Sequence, residues 1–317
     1  MKHESPQLSV VVPAYNEEKN VPEIYKQLLD VLAKSISFEI IFIEDGSTDN
    51  TREELDKLAK KDDRVRVICF SRNFGKEMAT TAGIARAQGE AIIAVDADGQ
   101  FPPELIPEFV KKWEDGAQIV TGIRMSNTNE GFVKRYGSML FYKLMRSMTG
   151  AKITPRATDF RLIDRAVQKE FMRFSEHGRI TRGLIDWVGF REDFIEFHAK
   201  ERMAGEASYN VSKLIKLAMN SFVSLSLTPL YFSGWAGLVI TPVAFLVGTV
   251  VVIEQLLMGD PLGWDFTGTA MLGLLLLFFV GILLISQGLT ALYISHIHTE
   301  TQNRPLYVVD EKHSVRL

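Results

Sequence analysis

The chain has 317 residues, of which 46% are hydrophobic and 24% are charged, and its formal net charge is −3 at pH 7. This hydrophobic content excludes an intrinsically disordered chain, and the near balance of charge provides no basic surface for nucleic acid. The single cysteine, Cys69, excludes an internal disulfide and a cysteine-ligated zinc site.

The charged residues are distributed unevenly along the chain. Between Leu217 and Thr299 only three residues are charged, Glu254, Asp260 and Asp265. Such a segment has the composition of a membrane-spanning unit, whereas the rest of the chain has that of a water-soluble domain. The sequence therefore predicts two parts with different solvents.

Residues 8–122 alternate short β-branched runs with charged helical stretches. Strands are predicted at Leu8–Val12, Phe38–Ile43, Val65–Phe70, Ala91–Val95 and Gln118–Thr121, and helices at Lys19–Ala33, Thr51–Lys60, Lys76–Ala87 and Pro103–Trp113. Strands separated by helices predict a Rossmann-like α/β domain with a mostly parallel sheet, whose ligands bind at the carboxyl ends of the strands.

Polar segments follow the first two predicted strands. The first is Pro13-Ala-Tyr-Asn-Glu17 and the second is Glu44-Asp-Gly-Ser-Thr-Asp49. Their carboxylates and amides could hydrogen-bond a base or a ribose. Taken alone, however, the second segment is more typical of a turn followed by a helix cap.

The fourth predicted strand ends in Asp96-Ala-Asp-Gly-Gln100. Two carboxylates at i and i+2 can converge on one hard divalent cation, whose remaining ligands are diphosphate oxygens and waters. An isolated Asp-x-Asp motif is more often part of a surface turn. Here a hydrophobic strand leads into it and the helix-starting segment Phe101–Glu104 follows, which favours a fixed site at a strand end.

Several motifs then occur in one order. After the two polar segments come Arg72–Lys76, Asp96–Gln100, Gly122–Arg124, Thr158–Leu162, Arg202–Tyr209 and Asn303–Tyr307. This order resembles that of the inverting family 2 glycosyltransferases with the GT-A fold. Within them it is most similar to the GtrB-like polyprenyl-phosphate group, which includes bactoprenol glucosyltransferases and dolichol-phosphate mannose synthases. The resemblance extends from about Leu8 to Val309.

The resemblance implies a role for each matching residue. The nucleotide sugar is expected to contact Pro13, Tyr15, Glu17, Asp45, Lys76, Asp96, Arg124 and Arg202. Mg²⁺ or Mn²⁺ is expected to bridge the diphosphate and to bind Asp96, Asp98 and Gln100. The catalytic residues it implies are Asp98, Arg124 and Asp159, because a cation and an arginine stabilise the charge that develops on the leaving diphosphate oxygen.

The acceptor half of the site is expected around Asp159, where the family places a carboxylate. A lipid phosphate, with a second pKa of about 6, is largely a nucleophilic dianion at neutral pH, so Asp159 either positions the acceptor or assists as a base. The alternative is that Asp159 caps a helix over Phe160–Val167. Further contacts to the acceptor phosphate are expected from Lys134, Arg135, Arg161, Ser208 and Tyr209, although exposed basic pairs are commonly only solvated.

The sequence departs from the family pattern at three places. Glu44 stands where many such enzymes have Asp, and Gly99 stands where they usually have Leu. The glycine is expected to loosen the metal-binding loop without removing a ligand. The Lys that commonly precedes the residue matching Tyr209 is absent, which weakens the expectation of a phosphate contact there.

Two membrane-spanning helices are predicted, near Tyr231–Ile253 and Thr269–Tyr293, each longer than the roughly 20 residues that a bilayer requires. The alternative is a pair of buried core helices. Lys and Arg flank the outer ends but not the connecting loop, so the positive-inside rule predicts that both termini are cytoplasmic. Residues 211–228 have helical apolar spacing and are expected either to lie in the membrane interface or to pack on the soluble domain.

The sequence therefore predicts a cytoplasmic GT-A domain at 1–210, an interfacial helix at 211–228, a two-helix transmembrane unit at 229–295 and a cytoplasmic tail at 296–317, frayed beyond Val309. The predicted activity is inverting transfer of one hexose, best assigned as glucose, from a nucleotide sugar to undecaprenyl or another polyprenyl phosphate, for later glycosylation of cell-surface polymers. Mannosyl or N-acetylhexosaminyl transfer, a processive polysaccharide synthase and a non-catalytic membrane scaffold remain alternatives. The tail also resembles that of relatives that assemble as tetramers.

Overall fold

The computed structural model describes residues 6–33, 36–125, 156–198 and 268–317, together with Leu246 and Ile253. The chain divides into two units, one formed by Met1–Ser208 with Arg304–Leu317 and the other by Tyr209–Asn303.

The first unit contains a seven-stranded mixed sheet in its described residues. The strands are β1 (Leu8–Ala14), β2 (Phe38–Glu44), β3 (Val65–Cys69), β4 (Ala91–Ala94), β5 (Ile119–Arg124), β6 (Ala157–Asp164) and β7 (Glu192–Phe197). Their order across the sheet is β3-β2-β1-β4-β6-β5-β7. Because β6 is antiparallel to both β4 and β5 while all other neighbours are parallel, the carboxyl ends of β1, β2 and β4 lie along one edge.

Helices connect these strands. They are α1 (Val21–Leu32), α2 (Thr51–Lys61), α3 (Lys76–Arg86), α4 (Ile106–Glu114, preceded by a 3₁₀ turn at Pro103–Leu105), α5 (Arg165–Phe171), α6 (Thr181–Val188) and α7 (Gly268–Thr301). The five predicted strands and four predicted helices are thus confirmed to within a few residues at their ends. Strands β6 and β7 and helices α5 and α6 had not been predicted.

The helical alternative for Asp159 is wrong. Asp159 lies inside β6, and the next helix begins only at Arg165, where Asp164 caps it by accepting a hydrogen bond from Ala166 N at 2.7 Å. A strand and not a helix therefore sets the direction of the Asp159 side chain.

Alternate residues of the central strands face two hydrophobic layers. Val10 and Val12 of β1 pack in the layer that includes α1 and α4, whereas Val11 packs in the layer that includes α3. A strand that is buried on both faces reads as a continuous apolar run, which is why β1 was recognisable in the sequence. This packing fixes the strand ends that carry the polar residues.

The end of the chain completes the edge of the sheet. Val315 pairs with Val67 of β3, and Val309 pairs with Phe70 just after β3, in antiparallel bridges. The expectation that the tail frays beyond Val309 is therefore wrong. Covering an edge strand removes its unpaired N–H and C=O groups from contact with other chains.

The second unit is described mainly by α7, a 34-residue helix. Within it, Phe278–Thr301 is apolar enough to cross a membrane, with a mean hydropathy of 1.8, and it is the one such helix among the described residues. Apolar side chains such as Leu283 and Ile285 are exposed on α7. The helix contains the predicted second span. The first span, apart from Leu246 and Ile253, and the interfacial helix lie outside the described residues, so two spans stay a prediction.

Candidate active site

The loops after β1 and β2 are joined by hydrogen bonds. The register pairs Ala14 with Glu44, so the two loops leave the sheet side by side. Asn16 N donates to Ser47 Oγ at 3.1 Å, and Asn16 Oδ1 accepts from Thr48 N at 2.8 Å. These contacts occupy the polar groups around Asn16, which adopts a positive φ of 56°.

Two predicted nucleoside contacts lie at this edge. Pro13 belongs to β1, and Tyr15 follows the strand with 45% of its surface exposed. An exposed aromatic face suits stacking against a planar base. Glu17, the third predicted contact of this loop, accepts a hydrogen bond from Asn20 Nδ2, so its carboxylate also holds the start of α1.

Asp45 is buried and fixes the neighbouring loop. Its two carboxylate oxygens accept hydrogen bonds from Phe74 N at 2.7 Å and Gly75 N at 2.9 Å. Burial raises the pKa of Asp45, although these two backbone donors oppose the shift. Gly46, with φ +67°, makes the turn possible, since a Cβ there would lie 2.4 Å from the carbonyl carbon of Arg72. Asp45 therefore holds the backbone that leads into α3.

Lys76, the first residue of α3, contacts two carboxylates. Its Nζ lies 2.7 Å from Asp96 Oδ2 and 3.0 Å from Asp159 Oδ2. Burial alone would lower the pKa of Lys76, but the charges of Asp96 and Asp159 outweigh it and raise the pKa above its usual value. The lysine is thus a cation shared by two carboxylates, one following β4 and one on β6.

The two carboxylates differ in their surroundings. Burial raises the pKa of Asp96 above its usual value, with Lys76 opposing and Asp98 and Asp159 adding to the shift. Burial also favours a raised pKa for Asp159. The positive charge of Lys76, with smaller contributions from Arg182 and Arg161, outweighs burial and holds the pKa of that carboxyl below its usual value. Asp159 is therefore held in the ionised form.

The segment after β4 is a defined turn. Asp98 Oδ1 accepts a hydrogen bond from Gln100 N at 3.0 Å, and Gly99 between them has a φ of +74°. Glycine occupies this left-handed region without strain, whereas a leucine would not. The glycine that departs from the family pattern thus shapes the loop around the two carboxylates.

The predicted cation fits the donor chemistry of this turn. Asp96, Asp98 and Gln100 offer carboxylate and amide oxygens, which Mg²⁺ and Mn²⁺ prefer. The described part of the chain contains no group of three or more His, Cys, Asp or Glu side chains that could hold a metal ion. A cation at Asp96 and Asp98 would therefore need further oxygens, as a diphosphate provides.

Arg161 lies two residues beyond Asp159 on the same face of β6. It is 4% exposed, and its Nη1 donates to Asp186 Oδ1 at 2.6 Å and to the carbonyl oxygen of Arg182 at 3.2 Å, both on α6. Helix α6 is in turn fixed to α3, because Thr181 N donates to Glu77 Oε2 at 2.8 Å. Arg161 therefore ties β6 to α6.

A cavity of about 440 Å³, including its open part, lies between α3 and α6 beside Asp159. Its apolar floor is formed by Ile84, Ile92, Ile163 and Ile185 and its polar lining by Lys76, Glu77, Asp159, Arg161 and Arg182. Nε and Nη2 of Arg161 make no hydrogen bond among the described residues. Arg182 and Asp186 were not identified from the sequence as residues near the site. Their i, i+4 spacing is the one signal in the sequence that they lie on the same face of a helix.

The remaining predicted residues are less constrained. Arg124 ends β5 with an exposed side chain, and its backbone N donates to Arg156 O at 3.1 Å. Lys134, Arg135, Arg202, Ser208 and Tyr209 lie outside the described residues. The structure thus brings Lys76, Asp96 and Asp159 together, and it leaves the assigned roles of all the site residues as predictions.

Comparison with solved structures identifies the class of fold. Glucosyl-3-phosphoglycerate synthase from Mycobacterium tuberculosis, solved with Mn²⁺, UDP and glucosyl-3-phosphoglycerate, superimposes with a TM-score of 0.51 at 18% identity, over 70% of this chain and 79% of that one. The described domain therefore has a GT-A-like α/β fold.

Comparison of sequences identifies the family. Residues 9–171 match glycosyl transferase family 2. An uncharacterized glycosyltransferase of Bacillus subtilis, YkcC, is 38% identical over 98% of this chain and 95% of its own. The SfII prophage-derived bactoprenol glucosyl transferase of Shigella flexneri is 36% identical over 96% of this chain and 98% of its own. The chain belongs to glycosyl transferase family 2, as its motifs had indicated.

Proposed function

We propose that this enzyme transfers one hexose, glucose being the best candidate, from a nucleoside-diphosphate sugar to a polyprenyl phosphate with inversion at the anomeric carbon. The observation that carries the proposal is the similarity to a bactoprenol glucosyl transferase over nearly the full length of both chains. Mannosyl or N-acetylhexosaminyl transfer, a processive synthase and a scaffold have no comparable support.

The donor half of the proposed site lies at the ends of β1, β2 and β4. Tyr15 stacks on the base, and Glu17 and Asp45 lie beside the ribose. Asp96, Asp98 and Gln100 would hold Mg²⁺ or Mn²⁺, and Arg124 and Arg202 would donate to the diphosphate oxygens. When bound, the cation stabilises the negative charge that forms on the diphosphate as the sugar leaves.

The acceptor half of the proposed site centres on Asp159. A lipid phosphate is already a dianion near neutral pH, with a second pKa of about 6, so it needs orientation more than deprotonation. Asp159, ionised beside Lys76, orients the acceptor, and cationic groups nearby offset repulsion between the two anions. Lys134, Arg135, Ser208 and Tyr209 are proposed phosphate contacts, whereas Arg161, being buried against Asp186, acts through the position of β6.

The membrane part of the proposal rests on composition. The apolar helix α7 and the apolar segment before it support two spans, with both termini and the catalytic domain on the cytoplasmic face. This arrangement places a water-soluble donor and a lipid acceptor at one surface. Assembly as a homotetramer is proposed from the resemblance of the tail alone.

The test uses purified full-length protein in lipid nanodiscs with labelled UDP-glucose, undecaprenyl phosphate and Mg²⁺ or Mn²⁺. A lipid-extractable monosaccharide product is expected, and Asp98→Ala or chelation of the cation is expected to abolish it. Asp115→Ala, which changes an aspartate at the far end of α4, is the matched control. A polymeric product, or product that forms without lipid phosphate, would overturn the proposal.

A further inference from the structure

Lys76 connects residues that belong to different halves of the proposed reaction. Asp96 follows β4 in the predicted cation-binding turn, and Asp159 lies on β6 beside the cavity. One ammonium group reaches both, at 2.7 and 3.0 Å. The same side chain therefore touches both the predicted cation-binding turn and the carboxylate of the acceptor half.

We propose that Lys76 is a positioning residue that occupies the cation's place at Asp96 while the donor is absent and is displaced toward Asp159 and the diphosphate when a divalent cation binds. This inference rests on the proposed function and adds to it an order in which the substrates bind. The donor with its cation binds first, and Lys76 then leaves Asp96 for Asp159 and the diphosphate.

The first argument concerns competition for one oxygen. Asp96 Oδ2 already accepts from Lys76 Nζ at 2.7 Å. A divalent cation that bound the same carboxylate would meet a positive charge at close range, and like charges at such a separation repel strongly where solvent is partly excluded. A divalent cation that binds Asp96 therefore competes with Lys76 for this carboxylate.

The second argument concerns freedom to move. Asp45 anchors the backbone just before Lys76, through Phe74 N and Gly75 N. The Lys76 side chain, in contrast, is 47% exposed, and lysine carries its charge on a flexible four-carbon stem. Displacement thus needs only a change of rotamer, with α3 remaining in place.

The third argument concerns what a displaced Lys76 would meet. The donor brings a diphosphate to the side of the turn where its cation binds, and an ammonium is an effective point charge for phosphate. Asp159 remains within reach on the other side. Lys76 would then lie between the leaving group and the acceptor carboxylate, where it offsets their mutual repulsion.

The test measures binding in place of turnover. In full-length Lys76→Met in detergent, free Mn²⁺ followed by electron paramagnetic resonance should show tighter binding in the absence of nucleotide, on the order of tenfold, because the competing charge is gone. UDP binding at saturating Mn²⁺, measured by calorimetry, should weaken by a similar factor. A purely structural role would not move the two affinities in opposite directions.

Two variants control the experiment. Lys112→Met removes a lysine of α4 whose Nζ lies 3.1 Å from Asp193 Oδ1 on β7. This change should leave the affinities for Mn²⁺ and UDP unaltered. Lys76→Arg keeps the charge and should restore UDP binding toward that of the wild type. Lys76→Gln repeats the test with a polar neutral side chain, so that a folding defect of Lys76→Met does not decide the outcome.

The outcomes separate this inference from the proposed function. Unchanged or weaker Mn²⁺ binding in both neutral variants would overturn the role of Lys76 even if the enzyme glycosylates polyprenyl phosphate. Opposite shifts in the two affinities, in an enzyme that uses a different acceptor, would retain the role of Lys76 and overturn the proposed acceptor.

Discussion

Arg161 and Asp186 form an ion pair that joins the strand carrying Asp159 to helix α6. The two atoms, Nη1 and Oδ1, lie 2.6 Å apart, and the side chains are only 4% and 12% exposed. A charge in such a place is costly unless its partner remains. The pair therefore fixes the wall of the cavity and, through β6, the position of Asp159.

Asp186→Asn is expected to destabilise the protein by about 3 kcal/mol, because it removes the negative charge that pairs with the buried guanidinium of Arg161. The midpoint of thermal unfolding of the purified protein would measure the loss. Asp193→Asn is the matched control: it breaks an ion pair with Lys112 in which the aspartate is 50% exposed, and it should cost less than about 1 kcal/mol. Equal effects of the two changes would contradict the structural role of Arg161.

The acidic limb of the pH profile is expected to come from the lipid phosphate. Lys76 and its neighbours hold the pKa of Asp159 below its usual value, so Asp159 stays ionised as the pH falls through about 6, where the acceptor dianion gains a proton. Asp159→Asn should lower kcat, but the pH at the midpoint of the acidic limb of kcat/KM for the lipid should not change. Loss of that limb in the variant would show instead that Asp159 is the titrating base.

Much of the sheet could be predicted because its strands are plain apolar runs. Val10 to Val12 and Ile40 to Ile43 are fully buried, and helices with polar faces separate them. Strand β6 escaped prediction because Asp159, Arg161 and Asp164 interrupt its apolar residues. Their charges are accommodated by partners on other elements, which a pattern along the chain does not contain.

The site was predictable to a similar extent. Motifs gave the residue types at the ends of β1, β2 and β4, since those ends follow directly from the βα alternation. The contact of Lys76 with Asp159 joins residues 83 positions apart. It depends on β6 lying next to β4, which only the tertiary structure provides.

Gly46→Ala is expected to weaken donor binding and to destabilise the protein by about 1–3 kcal/mol, as a side chain at a strained positive φ does. Its Cβ would also collide with the backbone of Arg72 at 2.4 Å and displace the loop that Asp45 anchors. UDP calorimetry and thermal unfolding would measure both effects. Gly183→Ala, on α6 with its nearest neighbour 3.9 Å away, should be neutral or stabilising by up to about 1 kcal/mol. A neutral Gly46→Ala would argue against a fixed loop.

Arg316→Ala is expected to loosen the tail from the sheet edge. The Nη1 of Arg316 donates to the carbonyl oxygens of Ala59 and Val65 at 2.7 and 2.8 Å, and its own carbonyl accepts from Arg66 Nε at 2.8 Å. Loss of charged donors to buried carbonyls should cost about 1.5–3 kcal/mol, because those acceptors are left unpaired. The hydrogen-exchange rates of the β3 amides should also rise in this variant, since the tail covers that strand. Lys312→Ala, which changes an exposed residue of the same tail, should alter neither measurement. Unchanged exchange in Arg316→Ala would mean that the bridges to Val67 and Phe70 hold the tail without the arginine.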